Sequence, residues 1–382
     1  MLTMSLTSDH VTAAEPQLDW SRLLDRAISG AGIEVHLQPI VDISQRTIAG
    51  YESLARFESD PRLPPNEWFA AARFFGVIPD LELAVLRRSL SVREDLPPGC
   101  FLSVNVEPDA LVDRRIAELL LNQRSLSGVV LELTEHIDAS DISGLSSLIS
   151  DLRSLGAKVA VDDAGSGYSG LQRILELQPD YLKLDRSLVM DLDRNDANSA
   201  LVEMFAGFAS RIDAWLIAEG VERPGELERL RRLHVPLVQG YLLARPGPGC
   251  VGISATGQAV LAATTVIDDE ESTIRSILET AAWVVEHEVD EAGRILAQRS
   301  DLDVVVVIDA DQRPVGCVDR SHVGGEMGPV WRAWAGTPLR EFARRIVTRP
   351  TDGRFAPTVC CDAAGRFLGV VRLERLLFEL AG

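Results

Sequence analysis

Eight short β-rich runs alternate with amphipathic helical stretches between Leu18 and Gly249, and this alternation limits the folds open to the chain. Strands joined by helices form either an open doubly wound sheet or a closed barrel, and eight such units over this length favour the barrel. The first two runs are too close together for a crossover helix, so we expect a hairpin and one antiparallel barrel strand. The predicted strands are Glu34–Ile40, Thr47–Ala55, Phe101–Asn105, Val129–Leu133, Lys158–Asp162, Tyr181–Leu184, Trp215–Glu219 and Leu237–Gly240.

The last part of the chain contains an internal repeat. Residues Val306–Val318 align without gaps on Val359–Val371, with Asp309 matching Asp362. Each copy reads strand, turn, strand and then an apolar helix. Two such copies predict a paired α+β module, so the expected fold is a (β/α)8 TIM-like barrel plus a smaller α+β C-terminal domain. The expected divisions are a disordered lead-in at 1–17, the barrel at 18–250, a linker at 251–271 and the second domain at 272–382.

Composition excludes several classes of function. A formal net charge of -19 argues against binding to a nucleic acid polymer or an anionic membrane, although bound cations can reverse the sign of one pocket. The five cysteines include no C-x-x-C pair, which favours reduced thiols. The sequence shows no signal peptide and no apolar run of bilayer length, so we expect a cytoplasmic protein.

Polar side chains end nearly every predicted strand. Barrel enzymes place reactive groups at the carboxyl ends of their strands, so these residues should share one rim. The adjacent Asp162 and Asp163 repel each other unless a cation lies between them, and hard divalent cations prefer carboxylate oxygen. Two such cations would suit phosphoryl chemistry, with Asp162 as bridging ligand and Lys183 orienting water. The rim set is Glu52, Asn105, Glu132, Glu135, Asp162, Asp163, Lys183, Glu219 and Gln239.

Lysine is nearly absent from this chain. Lys158 and Lys183 are the only two, and every other basic side chain apart from histidine is arginine. A compact ammonium differs from a guanidinium in reach and hydrogen-bond geometry, which favours a specific role for Lys183.

A glycine motif after the fifth strand offers a competing hypothesis. Gly165, Gly167 and Gly170 form G-x-G-x-x-G, and Asp185 follows about twenty residues after the first glycine, as in dinucleotide-binding folds. A pyrophosphate at that helix N-terminus would meet Asp162 and Asp163, which argues against this hypothesis. A dinucleotide-dependent oxidoreductase remains an alternative at this point.

The ordered motifs resemble those of the EAL-domain phosphodiesterases of cyclic di-GMP. The resemblance extends from Ile33 to Pro246 and includes E-V-H-L-Q-P-I, Y-E-S-L-A-R-F, L-S-V-N-V, L-E-L-T-E, V-D-D-A-G-S-G-Y-S-G-L, P-D-Y-L-K-L-D-R, A-E-G-V-E and V-Q-G-Y. It implies an enzyme that opens one phosphodiester of cyclic di-GMP to give linear pGpG, with two Mg²⁺ or Mn²⁺ ions per active site. It also implies a homodimer.

The same resemblance implies roles for individual residues. One cation is expected at Glu52, Asn105, Glu132 and Asp162, and the second at Asp162, Asp163 and Glu219. Lys183, Glu219 and Asp163 are the expected catalytic residues, with Lys183 beside the attacking water. Glu135 matches a residue that steadies the loop after the two aspartates. The expected substrate-binding residues are Gln38, Arg56, Gln239 and Glu222.

Three departures from the family pattern leave the expected ligands intact, and one of them is Glu107, which stands where a small polar residue is usual after the asparagine strand. Ser53 replaces the alanine of the E-A-L triplet, and Ala164 replaces an aromatic residue in the loop that couples metal binding to dimerisation. The altered loop keeps a second hypothesis open, namely a non-catalytic cyclic di-GMP receptor that signals through its C-terminal domain.

Residues 272–382 resemble a degenerate tandem CBS pair, on the V-I-D-x-x-x-x-P-V-G-x-V pattern. The positions that hold a Ser/Thr and an Asp in that family are Asp319 and His322 in one copy and Arg372 and Arg375 in the other. The resemblance implies a regulatory domain for an unknown small-molecule or protein signal. A packing module without a ligand is the alternative.

Overall fold

A closed barrel of eight strands forms the N-terminal part of the fold, as the sequence predicts. The computed structural model describes residues 18–59, 62–134, 142–164, 170–263, 272–320, 327–328, 330–349, 356–362 and 364–381. Strands β2 to β8 are parallel in chain order, and β1 lies antiparallel between β2 and β8. The barrel strands are β1 Ile33–Asp42, β2 Thr47–Phe57, β3 Phe101–Asn105, β4 Val129–Thr134, β5 Lys158–Ala164, β6 Tyr181–Leu184, β7 Trp215–Ala218 and β8 Leu237–Val238.

Helices cover the outside of the barrel and continue into the C-terminal part. Their first turns are fixed locally, as in α9, where the Asn195 side chain accepts hydrogen bonds from the amides of Ala197 and Asn198. None of the described helices is long and apolar enough to cross a bilayer. The helices are α1 Trp20–Ile28, α2 Pro65–Phe74, α3 Ile78–Ser91, α4 Pro108–Leu111, α5 Arg114–Leu121, α6 Ile142–Ser154, α7 Gly170–Leu177, α8 Arg186–Val189, α9 Asp196–Arg211, α10 Pro224–Arg232, α11 Ala255–Ala263, α12 Val289–Gln298, α13 Leu339–Thr348 and α14 Leu373–Ala381.

An apolar layer fills the lower half of the barrel, toward the amino ends of its parallel strands. Its members are Ile40, Ala49, Phe101, Val130, Ala160, Tyr181, Ile217 and Leu237. Side chains alternate between the two faces of a strand, so the residue two positions further along also points inward. Val130 is followed in this way by Glu132, and Tyr181 by Lys183. The pleat therefore stacks a polar layer directly on the apolar one.

The C-terminal module (residues 272–381) consists of two three-stranded sheets with the same topology. In each sheet the first pair of strands is parallel and the second pair is antiparallel. The aligned segments of the sequence repeat form β11–β12 and β14–β15, whereas β10, β13, α12 and α13 precede those segments and were not predicted. The strands are β10 Ala282–Val285, β11 Val304–Ile308, β12 Pro314–Asp319, β13 Arg332–Trp334, β14 Thr358–Cys361 and β15 Phe367–Val371.

The module packs against the amino-terminal face of the barrel. Ala364, on the turn between β14 and β15, is completely buried within the lower apolar layer of the barrel. Ser127 of the barrel donates a 2.8 Å hydrogen bond from Oγ to Asp309 Oδ2, and Arg345 forms an ion pair with Asp213. The carboxyl ends of the parallel strands, at the opposite face, remain clear of these contacts.

Two predicted segments lie wholly or partly outside the described residues. The predicted disordered lead-in at 1–17 lies wholly outside the described residues, so this prediction stays untested. Within the predicted linker at 251–271, residues 255–263 form α11 and residues 264–271 are not described. A further two-residue strand, β9 Gly247–Pro248, pairs with β1 just after the barrel closes.

Candidate active site

Lys183 lies at the centre of the polar layer. Its Nζ is 2.6 Å from Glu219 Oε1 and 2.8 Å from Glu132 Oε2. Asp162 Oδ1 lies 3.3 Å away and Glu52 Oε1 3.7 Å away. Three carboxylates from strands β2, β4 and β5 and one directly after β7 thus surround one ammonium group, at the rim that the strand-end pattern predicts.

Burial makes the charges of this cluster strongly interdependent. Burial acts to lower the pKa of Lys183, but the surrounding carboxylates, Glu132 foremost, hold it well above its usual value. For Glu132, burial is the main cause and raises the pKa well above its usual value, with Lys183 opposing the rise. One ammonium group therefore reduces the repulsion among the four carboxylates but cannot neutralise all of their charge.

Glu52 is held by amide groups as well as by charge. Asn105 donates a hydrogen bond from Nδ2 to Glu52 Oε1 at 2.9 Å, and Gln239 donates from Nε2 to Glu52 Oε2 at 2.6 Å. Burial acts to raise the pKa of Glu52, but Lys183 and these hydrogen bonds lower it below its usual value. Glu52 is thus the ionised anchor of the cluster.

Gln38 and Gln239 form a short network on the closing strands of the barrel. The Gln239 amide also approaches Gln38 Oε1 at 3.0 Å, and Gln38 donates to the backbone oxygen of Ala244 at 3.0 Å. The resemblance assigned both glutamines to substrate binding. In this structure Gln239 contacts Glu52 directly, so it orients a carboxylate of the cluster as well.

The glycine of the V-Q-G-Y motif, Gly240, lies where the backbone leaves no room for a side chain. A Cβ atom at this position would lie 2.1 Å from the backbone oxygen of Val221. The Val221 amide donates to the carbonyl of Gln239 at 3.0 Å, so the two chain segments approach closely beside that side chain. Only glycine permits this approach, which fixes the position of Gln239.

Asp162 and Glu219 each have a carboxylate oxygen that is buried and poorly satisfied. Asp162 Oδ1 and Glu219 Oε1 lie near Lys183 but accept no hydrogen bond of good geometry from any described residue. Burial raises the pKa of Glu219 to about 7, with Lys183 acting in the opposite direction. Glu219 can therefore change protonation near neutral pH.

Two serines contribute in ways that sequence reasoning missed or left open. Ser103 donates a 2.6 Å hydrogen bond from Oγ to Glu132 Oε1, and it lies two residues before Asn105 on the same face of β3. The alternation of side chains along β3 could have identified Ser103 from the sequence. Ser53 donates from Oγ to Ser89 Oγ at 2.7 Å, so the hydroxyl that replaces alanine next to Glu52 has a partner on the buried face of α3.

Four of the predicted site residues are not brought into this cluster by any described contact. Arg56 donates to the backbone oxygen of Ala55, and Glu222 forms a 2.9 Å ion pair with Arg186. Asp163 belongs to β5, but its side chain lies outside what the structure describes. Glu135 and the loop at 165–169 also lie outside the described residues, so their predicted roles are untested.

The residues present fit divalent cations. Among described side chains, no group of three or more Asp, Glu, His or Cys is arranged to hold a metal ion as it stands, because the carboxylates point to Lys183. The donor set nevertheless consists of hard oxygen ligands, with four acids facing one ammonium and two buried oxygens poorly satisfied. Additional positive charge would relieve this excess.

Comparison with known families decides the identity of the barrel. The EAL domain family model matches residues 21–246, which is more than half of the chain. The chain belongs to the EAL-domain family. The dinucleotide alternative is wrong as to fold, because β5 of this EAL domain is part of a closed barrel and not of an open doubly wound sheet.

Curated relatives of the EAL domain include two proteins of Pseudomonas aeruginosa. The cyclic di-GMP phosphodiesterase NbdA is 32% identical over 249 residues, which are 62% of this chain and 31% of that protein. The cyclic di-GMP phosphodiesterase RocR is 31% identical over 235 residues, 58% of this chain and 59% of that protein. The chain thus spans only part of the length of these relatives.

Solved structures agree with the fold. The PaMucR phosphodiesterase in complex with c-di-GMP has a TM-score of 0.54 and 25% identity, over 60% of this chain and 98% of that one. Klebsiella pneumoniae BlrP1, solved as a calcium and cyclic di-GMP complex, has a TM-score of 0.51 and 28% identity, over 59% of this chain and 58% of that one.

Proposed function

We propose that this chain hydrolyses cyclic di-GMP to linear pGpG with two divalent cations, Mg²⁺ or Mn²⁺. The observation that supports this most strongly is the set of four carboxylates around Lys183 at the carboxyl ends of the barrel strands. Membership of the EAL family and the phosphodiesterase relatives point in the same direction. The substrate is carried over from those relatives.

The residues would divide into two cation sites. Glu52, Asn105, Glu132 and Asp162 would hold one cation, and Asp162, Asp163 and Glu219 the other. When bound, such a pair of cations neutralises charge on the attacking and leaving oxygens of phosphoryl transfer. Ser103 and Gln239 would keep Glu132 and Glu52 in position through the hydrogen bonds that they donate.

Lys183 and Glu219 would act on the attacking water. The Lys183 ammonium stays charged and can donate to a water or to a phosphate oxygen beside it. Glu219, whose Oε1 lies 2.6 Å from Lys183 Nζ, would take up the proton that water loses. The water oxygen bonds to phosphorus, the P–O bond to one ribose breaks, and the released ribose oxygen gains a proton.

Substrate contacts and regulation complete the proposal. Gln38, Arg56, Gln239 and Glu222 would contact the cyclic dinucleotide, and Glu135 would steady the loop after Asp163. We further propose that residues 18–250 form the catalytic domain of a cytoplasmic homodimer, with residues 272–382 as a CBS-like regulatory domain. These parts rest on the resemblance, supported by the two repeated sheets of the module.

The direct test is product formation by the whole chain. Purified protein is incubated with cyclic di-GMP in Mg²⁺, in Mn²⁺ and in EDTA, and pGpG is followed by chromatography. We expect pGpG only with metal. Stoichiometric binding without pGpG in either metal would instead favour a receptor. Deletion of the module is a poor control, because Ala364 is part of the barrel core.

A further inference from the structure

A large cavity lies between the barrel and the C-terminal module, on the face opposite the candidate active site. Its volume is about 880 Å³. The barrel contributes the end of α9, the start of β7 and the segment after α10, and the module contributes β13 and α13. Trp215 and Trp334 line it from the two sides. A cavity of this size lies in the range of small-molecule sites.

The lining of this interface cavity is rich in arginine, although the protein as a whole is acidic. Six arginines and three carboxylates line it, and one of these carboxylates, Asp213, is already paired with Arg345. Arg340 and Arg344 are exposed at its mouth, one helical turn apart on α13, so they share a helix face. The arginines are Arg211, Arg232, Arg332, Arg340, Arg344 and Arg345.

Buried hydrogen-bond donors in the same lining have no acceptor. Arg332 Nε, Trp334 Nε1 and Ser210 Oγ are buried atoms without a hydrogen-bond partner among the described residues. Another nitrogen of Arg332, Nη2, donates to the carbonyl of Pro314 at 2.7 Å. A buried donor without an acceptor is costly and calls for a specific explanation. These atoms have almost no surface open to the cavity, so a ligand there would bind through the exposed arginines at its mouth.

We propose that the interface cavity binds a phosphate-bearing small molecule. Its phosphate oxygens would accept hydrogen bonds from Arg340 and Arg344 at the mouth, and a planar part would lie against Trp215 and Trp334. Guanidinium groups bind phosphate with paired hydrogen bonds, which suits a cluster of this kind. This ligand site is separate from the candidate active site and does not depend on hydrolysis.

The cavity also contacts the strand that ends in the active site. Trp215 and Leu216 line the cavity at the start of β7, and Glu219 follows the end of the same four-residue strand. A ligand that bridges the barrel and the module would therefore bind next to a strand on which a catalytic residue depends.

Binding is tested by calorimetry on the full chain in EDTA, which keeps cations away from the active site. The probes are inorganic pyrophosphate and 1-naphthyl phosphate, whose planar ring suits the two tryptophans. We expect saturable binding of both, with the double variant Arg340→Gln/Arg344→Gln at least about tenfold weaker. Trp334→Leu removes the aromatic ring and should weaken the binding of 1-naphthyl phosphate more than that of pyrophosphate.

The matched control is Arg87→Gln, which removes an exposed arginine of α3 that does not line the cavity. It should bind both probes as wild type does. Thermal unfolding without ligand checks that each variant is folded. The proposal is overturned if neither probe binds saturably at millimolar concentration, or if the cavity variants bind as tightly as wild type. Hydrolysis without probes is measured separately, so failure of either proposal is distinguishable.

Discussion

Lys183 and Glu219 belong to neighbouring segments of the barrel, and their charged atoms lie 2.6 Å apart. Lys183 occupies an inward position of β6, and Glu219 directly follows β7. The ammonium group also contacts Glu132, so it bridges acids that would otherwise repel each other. Because Lys183 contacts buried carboxylates of the cluster, its replacement should affect both the stability of the barrel and the chemistry of the cluster.

Lys183→Ala should lose turnover and stability together. Without the ammonium, buried carboxylates are left uncompensated, which is strongly destabilising. We expect turnover to fall by at least about a hundredfold and the melting temperature in EDTA to drop. Paired assays of pGpG formation and thermal unfolding check this. Lys158→Met, at the chain's other lysine and beside Gly365 of the module, is the matched control and should retain turnover. Wild-type rates in Lys183→Ala would refute the role.

Gln239→Leu should act mainly on the metal requirement. Its amide orients Glu52, and loss of such a supporting hydrogen bond typically costs about 10–100-fold in metal affinity. We expect the Mn²⁺ concentration for half-maximal rate to rise, with a smaller change in rate at saturating metal. Gln38→Leu removes the residue opposite Glu52 on β1, whose side-chain hydrogen bonds go to Gln239 and Ala244, and should raise it less. An unchanged metal requirement in Gln239→Leu would show that Gln239 acts only on substrate.

Glu82 should make the protein less stable at alkaline pH. This carboxyl on α3 is buried, and burial raises its pKa to about 8, with the nearby Glu107 adding to the rise. Because the folded-state pKa lies above the unfolded value, the stabilising contribution is full below about pH 4.5 and is lost as pH rises toward 8.

Glu82→Gln should therefore remove this loss. We expect the variant to be more stable than wild type at pH 8 by up to a few kcal/mol, because each pH unit between the folded and unfolded pKa values corresponds to roughly 1.4 kcal/mol. Its unfolding should also depend less steeply on pH. Denaturant unfolding between pH 5 and pH 9 measures both effects. The control variant Glu379→Gln, at an exposed position, should behave as wild type. If the free energy of unfolding of Glu82→Gln depended on pH as steeply as that of wild type, the prediction would be contradicted.

Gly240→Ala should disrupt the end of β8. The added methyl group would overlap the backbone of Val221, which cannot move without breaking its hydrogen bond to the Gln239 carbonyl. We expect a loss of about 1–3 kcal/mol or more in the free energy of unfolding. Gly144→Ala, in α6 with open space around it, is the control and should be neutral or stabilising. Equal free energies of unfolding for Gly240→Ala and Gly144→Ala would contradict this prediction.

The sequence predicted the barrel and much of its polar layer because both follow from short-range patterns. Alternation within each strand assigns Glu132 and Lys183 to the inner face, and the order of strands brings them to one rim. The same rule could have found Ser103, two residues before Asn105. The partners of Gln239 could not be found this way, because they depend on how β8 and β1 close the barrel.

The C-terminal module shows where sequence reasoning stops. Its repeat was visible, but its position was not, since the burial of Ala364 beneath Phe101 and Tyr181 depends on tertiary packing between distant segments. The arginines of the interface cavity are likewise spread from Arg211 to Arg345 and form a cluster only in three dimensions.

The most direct test of the central claim is hydrolysis in water enriched in ¹⁸O, with mass spectrometry of the product. If the carboxylates and Lys183 direct water to phosphorus, pGpG formed in Mg²⁺ or Mn²⁺ should contain one ¹⁸O atom, in its terminal phosphate, and EDTA should prevent its formation. Cyclic di-GMP that stays intact in both metals, or pGpG formed without the label, would contradict the account.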